Sequence, residues 1–163
     1  MSGKTLFALV GILALATFLR LWEIKEVPPG LYPDEAMNGN NAVEAMAREG
    51  LAVFYSDNNG REGLFMNIQS LSIRYFGNEA WALRIVSAIF GILTVLGIFL
   101  LARKMYHPLA DRNRIGLFTA FFLATSFWHI NFSRIGFRAI MAPFFIVWGL
   151  YFLFRFYKDT GST

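Results

Sequence analysis

The sequence predicts an all-α integral membrane protein with about four transmembrane helices and a long outer loop that carries two amphipathic interfacial helices. Hydrophobic residues make up 56% of the 163 residues, whereas soluble domains average roughly 45–50%. The apolar residues lie in blocks near membrane-spanning length, and basic residues flank these blocks. The polar residues concentrate in a single interval, 23–83. These three observations indicate that lipid is the solvent for most of the chain.

Composition also excludes several classes of site and partner. The chain has no cysteine, so a disulfide framework, a thiolate metal site and a cysteine nucleophile are excluded. The net charge is +4, but the basic residues are scattered along segment boundaries and form no clustered face. We therefore exclude nucleic acid as a partner and expect the lipid bilayer instead. We treat residues 1–163 as a single membrane module.

The first apolar segment runs from Thr5 to Leu19 and is flanked by Lys4 and Arg20. A helix needs about 20 residues to cross the hydrocarbon, so we expect Arg20 to snorkel outward and Trp22 to mark the interface. A cleaved signal peptide is the alternative, and Lys4, the apolar run and Ala14-Leu15-Ala16 fit one. The apolar remainder of the chain favours an uncleaved first span.

Three further blocks follow the polar interval. The clearest is Ile85 to Ala102, whose only polar members are Ser87 and Thr94. Pro143 falls in the first turn of the last block, where a missing N–H costs least. The four predicted spans are residues 5–22, 85–102, 115–132 and 139–156.

Charge asymmetry predicts the orientation of these spans. Segment 103–114 contains four basic residues against the single acid Asp111, and Lys4, Arg155 and Lys158 fall on the same side. That side is predicted to be cytoplasmic. The loop 23–83 contains nine of the eleven acidic residues and four basic ones, so it is predicted to be extracytoplasmic. The protein would then be a multi-pass protein of the plasma or inner membrane.

Within the loop, an acidic pair follows a break at residues 28–30. Two helices are predicted after the break. The first runs from about Glu35 to Glu49 and stops at Gly50. The second has an apolar stripe from Leu64 to Phe76 at helical spacing and stops at Gly77. Both are too polar to span a bilayer, so we expect them to lie in the interface plane.

The acidic pair, Asp34 and Glu35, supplies the candidate catalytic groups. Asp34 follows Pro33 and precedes a helical pattern, so a helix N-cap is an equally good interpretation on spacing alone. The position three residues on is Met37 instead of the Glu or Gln of a capping box, which weakens that alternative slightly. For Glu35, a solvated acid in the first helical turn is the simpler interpretation.

Four arginines are predicted to reach the same outer surface as the acidic pair. They are Arg61, Arg84, Arg134 and Arg138. Arg134 and Arg138 are spaced i, i+4, so on a helical turn they would share a face and bind a lipid phosphate through charge-assisted hydrogen bonds. Snorkelling to lipid headgroups is the alternative for each arginine.

Several short motifs occur in an order that resembles a known family. They are Pro33-Asp34-Glu35-Ala36 after the first span, Tyr75-Phe76-Gly77 at the end of the second loop helix, the stretch 82–91 with an arginine, small residues and Phe-Gly, and the stretch 129–134 from histidine to arginine. In this order the chain resembles the multispanning C-type glycosyltransferases that use lipid-linked sugars, which include protein O-mannosyltransferases and the lipid A aminoarabinose transferase.

The resemblance implies roles for particular residues. Asp34 takes the place of the catalytic aspartate, with Glu35 beside it, and Arg61 takes the place of a basic residue that approaches the lipid phosphate. The resemblance further implies transfer of a sugar from a polyprenyl-phosphate-linked donor to an acceptor hydroxyl, on the extracytoplasmic face and with inversion. Enzymes of this kind are several times longer, so the chain resembles their N-terminal membrane module.

No cofactor is required by this chemistry, although Asp34 and Glu35 could hold a divalent metal. The sugar and the acceptor are not specified by the sequence. A fragment of a polytopic transporter is one alternative function, but such proteins place charged residues at the centre of their spans, and none lies there in this sequence. A noncatalytic membrane scaffold is the other alternative. It is distinguished from an enzyme by whether Asp34 lines a cavity.

Overall fold

The computed structural model describes residues 1–48, 51–56 and 60–160, with side chains up to residue 157. Over these ranges the regular secondary structure consists of seven α-helices, one short two-stranded ribbon and one 3₁₀ turn at Arg138–Ile140. The helices are α1 Gly3–Leu21, α2 Pro33–Ala47, α3 Leu64–Phe76, α4 Ala80–Met105, α5 Arg112–Thr125, α6 Phe127–Arg134 and α7 Met141–Thr160. The prediction of an all-α membrane protein is confirmed.

Three helical segments of the described chain are long and apolar enough to cross a membrane: α1, α4 and residues 138–157, most of which belong to α7. The predicted third span, 115–132, is not one continuous helix. It consists of α5 and α6, which meet at an angle of 57° across Ser126 and form either a broken span or a re-entrant loop. At the bend, the carbonyls of Leu123 and Ala124 in the last turn of α5 accept hydrogen bonds from Arg20 of α1, and these bonds stabilise the break.

Helix α4 is the centre of the bundle and contacts α1, α3, α5, α6 and α7. Small residues allow these close approaches. A Cβ atom added at Gly91 would lie 2.2 Å from the Ser133 hydroxyl, and one at Gly116 would lie 2.8 Å from Arg103. The start of α5 therefore lies beside the end of α4. The N-terminal end of α1 is at this same end of the bundle, because α1 and α5 run parallel.

The two loop helices pack on each other, and α3 also packs on the start of α4. Helix α2 reaches the start of α4 through the Glu35–Arg84 ion pair and through Gly39, which lies against Leu83. In α3, Gln69 and Ser72 donate hydrogen bonds to carbonyls of the first turn of α4. Leu71 and Tyr75 on the other face are exposed. The inward face also buries the apolar Phe65, Met66 and Ile73, so α3 packs on the protein with one face and leaves apolar side chains on the other, as an interfacial helix requires. Helix α2 is predicted within two residues of its observed start, while the predicted stop at Glu49 and Gly50 lies outside the described residues.

A two-stranded antiparallel ribbon precedes α3 and was not predicted. Strand β1, Phe54–Tyr55, pairs with β2, Arg61–Glu62. Two-residue strands are too short for a period-two pattern to be visible in the sequence. Because successive strand residues face opposite sides, Arg61 is buried and Glu62 is exposed. The ribbon thus points Arg61 into the protein and Glu62 toward the surface.

Candidate active site

Asp34 is the second residue of α2, because the helix begins at Pro33 and Tyr32 is the N-cap. The alternative interpretation of Asp34 as the N-cap is therefore wrong. Its carboxylate Oδ1 accepts a hydrogen bond from Arg61 Nη2 at 3.1 Å. The Asp34 side chain is 38% exposed. The structure thus presents a carboxylate that substrate can reach, beside the positive end of a helix dipole and a guanidinium.

Arg61 lies behind Asp34 with its side chain only 2% exposed. Its Nη1 donates to Asn38 Oδ1 at 2.6 Å, and Asn38 Nδ2 donates to the Gly136 carbonyl at 2.9 Å. The Arg61 Nε is buried and has no hydrogen-bond partner among the described residues. Asn38 is four residues after Asp34, so both side chains lie on one face of α2. Asn38 and β2 together hold the guanidinium against the Asp34 carboxylate.

Glu35 has a different environment from its neighbour and is fully buried. This finding corrects the expectation of a solvated first-turn acid. Its Oε1 accepts hydrogen bonds from Arg84 Nε at 2.8 Å and from the Gly136 amide at 2.9 Å. Its Oε2 accepts from the Tyr32 amide at 3.3 Å. Burial of a carboxylate is tolerated where it is paired and hydrogen-bonded in this way.

Arg84 completes the buried ion pair and is 1% exposed. Beyond Glu35, its guanidinium donates to the backbone carbonyls of Ile24, Pro28 and Gly30. These carbonyls belong to the segment between α1 and α2. The Arg84 guanidinium therefore fastens that segment and the start of α2 to the first turn of α4.

Arg134 and Arg138 do not share a face, so the prediction that they lie on one helical turn is wrong. Helix α6 ends at Arg134, and the backbone at Ile135 and Phe137 is extended. This extension turns the two side chains in different directions. Arg134 donates to the carbonyls of Leu19, Trp22 and Val27 at 2.7–3.0 Å. Each of these acceptors belongs to the protein backbone.

Arg138 forms an ion pair with Glu62 of β2 and remains partly exposed. Both residues line a cavity of about 540 Å³ whose other walls are mostly apolar. The remaining lining residues are Leu64, Phe137, Ala139, Met141, Ala142 and Phe145. Arg138 thus stands where an apolar groove meets a charged pair. Of the four predicted arginines, Arg138 has the setting that best suits a lipid phosphate.

Arg20 is fully buried, and the expectation that it snorkels outward is wrong. Its guanidinium donates to the carbonyls of Ala16 and Ala124 and to His129 Nδ1, the last at 2.8 Å. Arginine can only donate, so Nδ1 of His129 must be the acceptor. Apart from Ala16, the partners come from α5 and α6, which no local pattern around Arg20 could indicate. Arg20 therefore fixes the bend between these helices.

A metal site is the remaining chemical possibility at the acidic pair. No group of three or more His, Asp or Glu side chains with metal-binding geometry occurs within the described ranges. Both Glu35 oxygens already accept hydrogen bonds from protein groups. A divalent metal held jointly by Asp34 and Glu35 stays a prediction.

The sequence model of the family described as dolichyl-phosphate-mannose-protein mannosyltransferase matches residues 64–162, which is more than half of the chain. The chain belongs to this family. No curated protein and no solved structure matches the chain. Membership confirms the resemblance to multispanning glycosyltransferases, and with it a membrane protein of glycosyltransferase type that uses a lipid-linked sugar donor. The matched region includes Arg84, Arg134 and Arg138, whereas Asp34 and Arg61 precede it.

Asn38 and Gly136 are site residues that sequence reasoning missed. Asn38 carries a weak signal, since it lies one helical turn after Asp34 on the same face of α2. Gly136 carries none, because it acts through its backbone N–H and C=O. Its environment is also tight, since an added Cβ would lie 3.0 Å from Glu35.

Proposed function

We propose that this membrane protein transfers a sugar from a polyprenyl-phosphate-linked donor to an acceptor hydroxyl on the extracytoplasmic face. Asp34 acts as the base, and the configuration at the anomeric carbon is inverted. Family membership supports the reaction class and the lipid-linked donor. The excess of Lys and Arg at the opposite ends of the predicted spans, in segment 103–114 and at Lys4 and Arg155, supports an extracytoplasmic side for the 23–83 loop.

The observation that carries this proposal is the contrast between the two adjacent acids. Glu35 is buried and saturated by protein donors, whereas Asp34 is accessible and has a guanidinium behind it. A general base must reach the proton that it abstracts. Of the two candidate catalytic residues, Asp34 therefore takes the chemical role, and Glu35 takes the role of positioning α2 through Arg84.

The reaction needs one base and one stabilised leaving group. Asp34 accepts the proton of the acceptor hydroxyl, whose oxygen forms a bond to the anomeric carbon. The bond from that carbon to the donor phosphate oxygen breaks, and the phosphate retains the electron pair. Attack opposite the leaving group gives inversion. The leaving phosphate is already stable as an anion, so a cation that neutralises its charge replaces a general acid.

The groove beside Arg138 is the part of the site that suits the donor lipid. Its apolar walls match a polyprenyl chain, and the Arg138 guanidinium matches a phosphate. Glu62 holds the guanidinium in place in the absence of donor, and the donor phosphate would replace it as the partner. Arg61 orients Asp34, while Arg84 and Arg134 hold the surrounding loops.

Asp34→Asn tests the proposed base. We expect transfer to fall by about 10²–10⁴-fold, since a positioned base is lost, while expression and donor binding stay near wild type. Sugar transfer from a radiolabelled polyprenyl-phosphate donor is the measurement. Glu44→Gln is the matched control, because Glu44 is an exposed acid of the same helix that pairs with Arg48. Activity of the Asp34 variant within a few-fold of the control would remove Asp34 from catalysis.

Lysine substitutions distinguish the proposed roles of Arg134, at the end of α6, and Arg138, four residues later. Arg138→Lys should raise the KM for donor by about tenfold, because a planar fork that can bind two phosphate oxygens becomes a point charge. Arg134→Lys should leave the donor KM unchanged and lower the thermal midpoint, because three backbone carbonyls lose donors. The same KM shift in both variants would contradict the separate roles assigned here.

A further inference from the structure

A second charged cavity lies at the end of α4 that is remote from Asp34. Its volume is about 280 Å³. It is lined by Leu100, Arg103, Lys104, His107, Arg112 and Tyr151. The three cationic side chains come from the end of α4 and the start of α5. Among the residues with described side chains, no acid lines this cavity.

Two of the three cations around this cavity, Arg103 and Arg112, are held in place by neighbouring groups. Arg103 Nε donates to Asn113 Oδ1 at 2.8 Å, and the Arg103 guanidinium lies over the Phe99 ring. Arg112 donates to the His107 carbonyl and is also the first residue of α5, where the helix dipole is positive. The Tyr151 hydroxyl adds a hydrogen-bond donor at the wall. This combination of fixed cations and a hydroxyl suits an anionic phosphate group.

The basic cavity is adjacent to an apolar groove between α4 and α7. The groove has a volume of about 520 Å³, with Leu93 on one side and Phe144, Trp148 and Phe152 on the other. Leu93 and Leu100 are seven residues apart and share one face of α4. The Trp148 ring contacts both the Tyr151 and Phe152 rings. The basic cavity could thus hold a charged lipid headgroup, and the neighbouring apolar groove could hold an acyl chain.

The position of this cavity separates it from the proposed donor site. Arg84, which anchors the Asp34 region, and Arg103 are nineteen residues apart on α4, which corresponds to about 28 Å of helix. The hydrocarbon core of a bilayer is about 30 Å thick. A lipid in the basic cavity would therefore have its headgroup in the other leaflet.

We infer that this cavity and groove bind an anionic phospholipid. Its phosphate lies among Arg103, Lys104 and Arg112, and one acyl chain lies along Trp148 and Phe152. Basic pockets between membrane helices have the charge and depth to select anionic headgroups over zwitterionic ones. The inference goes beyond the proposed glycosyl transfer and does not depend on it, since it uses neither Asp34 nor the Arg138 groove.

The test is titration of the delipidated protein with phosphatidylglycerol, with bound lipid counted by native mass spectrometry. Lys104→Gln/Arg112→Gln should raise the Kd by about thirtyfold, because two cations near an anionic headgroup are removed. Lys4→Gln/Arg114→Gln is the matched control. It removes two charges from the same end of the bundle without touching this cavity, and its Kd should change by less than about threefold.

A further variant and competing ligands identify what the cavity binds. Phe152→Ala leaves the charges intact and should weaken phosphatidylglycerol binding by about tenfold through lost apolar contact. Thermal midpoints in lipid-free detergent should match wild type for every variant compared. The inference is overturned by equal losses in the two double variants or by phosphatidylcholine binding as tightly as phosphatidylglycerol. It is also overturned by competition from millimolar inorganic phosphate, or by preferred binding of polyprenyl phosphate.

Discussion

Arg84→Met should destabilise the protein by about 3–5 kcal/mol, the usual cost of removing one partner from a buried ion pair. The Glu35 carboxylate would then be left as an uncompensated charge that is fully buried. The carbonyls of Pro28 and Gly30 would lose their donor in the same step. We expect a protein that fails to accumulate or that melts well below wild type. The measurement is thermal unfolding in detergent.

Two companion variants make this prediction specific. Arg48→Met removes an exposed ion pair with Glu44 and should cost less than about 1 kcal/mol. In the double variant Glu35→Gln/Arg84→Met no buried charge is left alone, so its loss should be smaller than the sum of the two single losses. An Arg84→Met midpoint equal to that of Arg48→Met would contradict the structural role of the pair.

Arg20→Met should have an effect of similar size at the bend between α5 and α6. The carbonyl of Ala124, the Nδ1 of His129 and the Ser133 hydroxyl would each lose a buried hydrogen-bond partner. The Ser133 hydroxyl keeps its hydrogen bond to the His129 carbonyl, so two buried acceptors are left unsatisfied. Each costs about 1–3 kcal/mol, and we expect a total loss of at least about 2 kcal/mol. Protease sensitivity near Ser126 and the thermal midpoint are the measurements.

Arg20→Lys distinguishes this network from a snorkelling side chain. A snorkelling arginine tolerates lysine, because only the charge must reach the headgroups. A buried guanidinium with acceptors on both sides does not tolerate lysine. The three N–H donors of an ammonium sit on a single nitrogen and cannot reproduce the planar fork of the guanidinium. We therefore expect a clear loss of stability in Arg20→Lys and none in the exposed control Arg114→Lys. Wild-type stability of Arg20→Lys would restore the snorkelling interpretation.

The parts of the fold that the sequence predicted are those that depend on local composition. The apolar run 85–102 forms the middle of α4, and Gly77 follows the end of α3 as predicted. The bend at Ser126 was missed, because residues 115–132 carry no charge and no proline, and their few polar residues are compatible with a continuous span. The bend depends on a guanidinium more than a hundred residues earlier in the chain.

In the candidate site, too, the features that depend on neighbouring residues could be predicted, and those that depend on distant residues could not. Asp34 could be singled out from its neighbours and from the family motif, and its accessibility supports that choice. The burial of Glu35 could not be foreseen, because its partners Arg84 and Gly136 lie 49 and 101 residues away. The different directions of Arg134 and Arg138 depend on two extended residues between them, which the i, i+4 spacing does not indicate.

The backbone bonds of Gly136 have a consequence for the order in which the site is assembled. Helix α2 is synthesised about a hundred residues before Gly136, and contacts of such separation form late because a long loop must close first. Glu35 and Asn38 therefore lack these partners until the chain beyond α6 has been made. We expect a ribosome-stalled chain that ends before residue 136 to expose the 33–47 segment to protease, and one that extends past α7 to protect it.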